Sequence, residues 1–99
     1  MADEVDETFY KRADAHIALA NEHLNTIARG RVSASFLYGA ARFNAYVAAI
    51  NANSKETMEV EREGIINYYI DEYRKMLKEH LDDYIDHYDT YMSSPASEA

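Results

Sequence analysis

Apolar residues recur along the chain at steps of three and four, the spacing that keeps side chains on one face of a helix. The longest such run lies between Ser54 and Met92. There Ile66, Ile70, Tyr73, Leu77, Leu81, Tyr84, Tyr88 and Tyr91 follow at steps of four, three, four, four, three, four and three. Phe9, Ala13, Ile17, Ala20, Leu24 and Ile27 trace an earlier stripe of the same period. Between the two, Phe36, Leu37, Phe43, Val47 and Ile50 stand among many alanines and Gly39. Small side chains let helices approach closely, so this middle segment is expected to be the most buried. Gly39 costs about 1 kcal/mol of helix propensity relative to Ala, which a close helix crossing there would explain.

Punctuation residues divide the pattern. Asp6 is a helix cap with Glu7 in the first turn, Gly30 after Arg29 suits a left-handed helix stop, and Ser33 caps a second helix. Asn53-Ser54 forms the next stop and start, and Ser93-Ser94-Pro95 the last stop. These signals predict helices over residues 7–28, 34–52 and 55–92, within one domain spanning 6–92 and flanked by disordered stretches at 1–5 and 93–99. Short connections favour antiparallel neighbours. The expected fold is all-α: an antiparallel three-helix bundle with a long third helix, for which Gly64 is the internal point where a kink can form.

Length gives this fold a consequence. At ~1.5 Å per residue the first two helices reach ~33 and ~29 Å and the third ~57 Å. From about Leu77 onward the third helix is expected to outrun the hairpin while keeping its apolar stripe. Leu77, Leu81, Tyr84, Ile85, Tyr88 and Tyr91 are therefore the expected interface, and a homodimer the expected assembly. Tyrosine suits such a surface because it joins apolar area to a polar tip.

Composition narrows the classes. The 99 residues are 47% apolar, with 3 Gly, 1 Pro and no Cys. A packed helical domain is favoured, and disulfides, thiolate zinc sites and cysteine nucleophiles are excluded. The net charge of −8 argues against a nucleic-acid surface. No apolar run approaches the ~18–20 residues of a membrane span, and the acidic start (Asp3, Glu4, Asp6, Glu7) is unlike a signal peptide. A cytoplasmic protein is expected. Residues 8–55 carry six bases against two acids, and residues 56–99 twelve acids against four bases. The surplus acid suits a basic protein partner.

Several segments resemble a small uncharacterised bacterial family, the domain-of-unknown-function family numbered 3144. They are Phe9-Tyr10-Lys11-Arg12-Ala13-Asp14, the stretch from Ser33 through Phe36-Leu37-Tyr38-Gly39-Ala40-Ala41-Arg42 to Ala45, Tyr73-Arg74-Lys75-Met76-Leu77, and Leu81-Asp82-Asp83-Tyr84. The resemblance covers about residues 8–88 and implies a short helical fold with no assigned activity. Gly39 stands where the family pattern suggests Ala.

Two constellations carry candidate chemistry. Asp83 and His87, four apart, share a helix face and could reach one metal ion. No Glu-x-x-His accompanies them, as carboxylate-bridged bundles require, and a solvated acidic face is the weightier reading. Arg29, Arg31 and Ser33 flank Gly30 before the expected helix start, a combination able to hold a phosphate or carboxylate; no Gly-rich loop supports it. Arg42, among Ala and Phe, is expected in a structural ion pair. No catalytic set or cofactor motif is present. The expected role is a non-enzymatic helical interaction module that self-associates or binds a protein through its third helix. The alternatives are an acidic regulator of a basic surface, and a metal- or anion-binding protein.

Overall fold

The computed structural model describes residues 6–93 and is helical throughout, with no strand among them. The elements are α1 (Phe9–His23), α2 (Arg29–Ala52), α3 (Lys55–Asp86) and α4 (Tyr88–Met92). The all-α class is as expected. The stretches expected to be disordered, 1–5 and all of 93–99 except Ser93, lie outside the described residues. The described residues up to Arg42 form one compact unit and those from Phe43 onward a second, and the division falls inside α2.

In the first unit, Asp6 anchors the start of α1. Its carboxylate accepts the Thr8 N–H at 2.8 Å and the Thr8 hydroxyl at 2.9 Å, and it pairs with the Arg12 guanidinium at 3.1 Å. The helix itself begins at Phe9, two residues later than expected, because Asp6 and Thr8 form a turn ahead of it. Phe9, Ala13, Ala20 and Leu24 are the less exposed members of the predicted stripe.

The end of α1 departs from expectation. The helix stops at His23, and the chain tightens into three-residue bonds: Asn25 N–H to the Glu22 carbonyl and Thr26 N–H to that of His23, both 3.2 Å. Asn and Thr are weak helix formers whose side chains compete for the backbone, so the stop needs no glycine. Gly30 accordingly has no positive φ and lies within α2, which begins at Arg29. Ser33, expected as a cap, is inside that helix and precedes no boundary.

The link between α2 and α3, in the second unit, follows the sequence signals. Asn53 takes the left-handed conformation (φ 71°) that ends α2, as Asn does more readily than other residues with a Cβ. The Ser54 hydroxyl accepts the Thr57 N–H at 3.1 Å and caps α3, a contact worth about 1 kcal/mol. Ala48 and Ala52 are buried beside this link and, with Val32, are the buried apolar residues of the described chain. An apolar groove of about 360 Å³ lies along the hairpin, between Ala45 and Ala48 of α2 and Met58, Ile65 and Ile66 of α3.

α3 runs through Gly64 without interruption; the break in the expected 55–92 helix lies instead at His87 (φ −123°, ψ 28°). Its covered face is half-buried and consists of Met58, Ile65, Tyr68, Tyr69 and Glu72. That face is displaced by one residue, about 100° around the axis, from the predicted stripe of Ile66, Ile70 and Tyr73. The Tyr68 hydroxyl is buried with no hydrogen-bond partner among the described residues. Arg42, expected in a buried ion pair, is exposed. A Cβ added at Gly39 or at Gly64 would meet nothing within 4 Å, so the close crossing expected at Gly39 is absent.

Two predictions follow from these local features. Gly39→Ala and Gly64→Ala should each stabilise the protein by roughly 0.5–1 kcal/mol, read as a higher urea midpoint at unchanged slope. Arg12, with help from Thr8, lowers the Asp6 carboxyl from 3.8 to about 2. A depressed acid stabilises the fold above its unfolded value and loses that effect as pH falls through its folded one. The contact should therefore be complete above pH 3.8 and vanish through pH 2. NMR titration of the Asp6 carboxyl checks this, and Asp6→Ala should speed amide exchange over Thr8–Arg12.

Candidate protein-interaction surface

Past Glu72 the covered face of α3 ends: every residue from 73 to 90 is exposed. Sequence patterning nevertheless continues. Ile66, Ile70, Tyr73, Leu77, Leu81, Ile85, Tyr88 and Met92 are all exposed, from 36% at Ile66 to 71% at Ile85. On α3 their three- and four-residue steps hold them in one band. Five of the six expected interface residues (Leu77, Leu81, Tyr84, Ile85 and Tyr88) lie exposed in or beside this band. The stripe extends further toward the N-terminus than that set, through Ile66, Ile70 and Tyr73.

The far side of the same helix end is acidic. From Glu79 to Asp89 there are five acids and no Lys or Arg. The last turn of α3 contains no base, so Asp82, Asp83 and Asp86 sit against the negative end of the helix dipole. Bases come just before them. Lys75 pairs with Glu72 at 2.8 Å and Lys78 with Asp82 at 3.0 Å. Such exposed pairs along one helix add only about 0.3–0.5 kcal/mol each.

Tyr91, the sixth expected interface residue, has another role. Its hydroxyl donates to the Asp83 carboxylate at 3.1 Å, and its ring lies 5.0 Å from that of Tyr84 and 5.5 Å from that of His87. His87 Nδ1 stands 3.1 Å from both the carboxylate and the carbonyl oxygen of Asp83. Both neighbours are acceptors, so an Nδ1 that carries a proton can donate to either. Asp83 and His87 do meet, as their spacing suggested, but they meet each other. The arrangement is a clasp closing the α3–α4 break: both Nδ1 of His87 and the Tyr91 hydroxyl meet the Asp83 carboxylate. Among the described residues no group of three His, Asp or Glu side chains is placed to hold a metal.

The expected anion site is likewise dispersed. Arg29, Arg31 and Ser33 are exposed and share the first turns of α2. At 100° per residue Arg31 projects about 200° from Arg29, so the guanidiniums do not converge on one ligand.

The family described as "Protein of unknown function (DUF3144)" matches residues 9–85. The chain belongs to this family. It is similar to the protein NB7890A from Shewanella sp., known from an NMR structure, at 36% identity and a TM-score of 0.74 over 90% of this chain and 95% of that one. A comparison with curated proteins finds no match. The family model spans α1, α2 and nearly all of α3 and ends within the clasp, after Asp83 and before His87 and Tyr91. No helix among the described residues is long and apolar enough to cross a membrane.

The hydrogen bond from Tyr91 to Asp83 raises the phenol above its ordinary value of 10. A raised acid is stabilising while protonated, so the clasp should hold below pH 10 and open as pH rises through the folded value. Selective labelling of Tyr91 should show it ionising above pH 10. Tyr91→Phe should abolish that shift and speed amide exchange across α4.

Proposed function

We propose that this member of the family is a non-enzymatic helical interaction module, working in the cytoplasm through the exposed stripe of α3 and α4. The carrying observation is the stripe itself. Six large apolar side chains of α3, from Ile66 to Ile85, and Tyr88 and Met92 of α4 beyond the His87 break remain open to water, while the other apolar face of α3 is half-buried. Contiguous apolar surface of this kind marks interaction sites, and its tyrosine and methionine content is typical of interface cores.

A second reading, an acidic regulator of a basic protein surface, draws on the five acids between Glu79 and Asp89. Salt separates the two. Binding through the acids should weaken steeply from low to moderate ionic strength, while burial of leucine and tyrosine should not.

In-cell photo-crosslinking tests the proposal. A photo-activatable side chain at Leu81 should give protein adducts, and one at Glu61, on the opposite side of α3, should not. Absence of adducts from Leu81, or equal adducts from both, would overturn the stripe as a docking surface.

A further inference from the structure

The exposed stripe has a symmetry that narrows its occupant. Leu77 and Leu81 lie two residues either side of Glu79, Tyr73 and Ile85 six, Ile70 and Tyr88 nine, and Ile66 and Met92 thirteen. All eight are exposed. The stripe therefore repeats itself when the helix is turned end for end about Glu79. A two-fold interface is self-complementary in this way: residue i meets j while j meets i. Resting on the interaction reading above, we infer that the stripe seats a second copy of this chain, antiparallel and related by a two-fold axis at Glu79.

Charge selects the same direction. From Asp71 to Lys78 three bases (Arg74, Lys75, Lys78) stand with two acids (Asp71, Glu72), whereas from Asp82 to Asp89 four acids stand with no Lys or Arg. An antiparallel pair sets Arg74 and Lys75 of each copy beside the Asp82–Asp83 segment of the other. A parallel pair sets acids beside acids, which is repulsive. The antiparallel pair also brings bases near the C-terminal end of α3, whose own last turn contains none.

Area is adequate. Eight side chains of roughly 150–200 Å² each, about half of each open, offer on the order of 600–800 Å² per copy, near the ~800 Å² per partner of a standard stable interface. The central pairs Leu77–Leu81 and Tyr73–Ile85 lie wholly within α3, and the outer pairs draw on Tyr88 and Met92 of α4 beyond the His87 break.

The chain has no cysteine, so single thiols report geometry directly. Full-length Tyr73→Cys and Ile85→Cys chains, mixed and treated with a short bis-maleimide, should give a linked dimer. Either variant alone should not, because its own two thiols would lie ~18 Å apart along the axis. Light scattering of the unmodified protein should give twice the chain mass, and Arg74→Glu with Lys78→Glu should weaken the dimer about tenfold or more at low salt. Circular dichroism should show the helices intact in each variant. Linking within either single variant, a monomer mass at high concentration, or assemblies without the 73–85 link would each overturn the inference. A purified monomer whose Leu81 still captures another protein in cells would leave the interaction module standing and remove only the second copy.

Discussion

A helix is covered only where something lies beside it, and most of this molecule's character follows from that constraint acting on α3. The helix has 32 residues, about 48 Å of length. Its apolar residues form two adjacent faces rather than one. Met58, Ile65, Tyr68 and Tyr69 are the covered face, which closes at Glu72. The second face is exposed from Ile70 through Leu81 to Ile85, and Ile66 at its start also borders the groove between α2 and α3. Covering it would bring the usual gain of burial, roughly 25 cal/mol per Å².

The ends of the elements obey shorter-range rules. Asn53 and Ser54 turn the chain within two residues, because one accepts a left-handed backbone and the other satisfies an N–H of the new helix. Asp6 does comparable work ahead of α1 through Thr8 and Arg12. At the other extremity, Asp83, His87 and Tyr91 close the break between α3 and α4. Three polar clusters thus fix the chain at points where apolar burial is thin, and none of them resembles a reaction centre.

The outcome shows where local signals suffice. Ser54 and Asn53 were legible because a cap and a left-handed turn involve neighbours in sequence. Gly30 misled for a related reason. Its permissiveness allows a helix stop but does not require one, and Asn25 and Thr26 had already tightened the chain. The i, i+4 relation of Asp83 and His87 correctly put them together. What they do there depended on a bend at His87 that swings Tyr91 onto the carboxylate, and no spacing rule encodes that bend.

By itself, the sequence determined the all-α class, the existence of three main helices, the turn at Asn53-Ser54 and the surplus of apolar positions toward the end of the third helix. Period and capping act over one or two turns, so they survive whatever the rest of the chain does. Only the tertiary structure decided which of the two α3 faces is covered. The doublets Ile65-Ile66 and Tyr69-Ile70 satisfy either choice, and a one-residue shift moves the buried face by about 100°. That choice covers Ile65 and Tyr69 and leaves Ile66 and Ile70 in line with Leu77, Leu81 and Ile85, as one continuous exposed stripe.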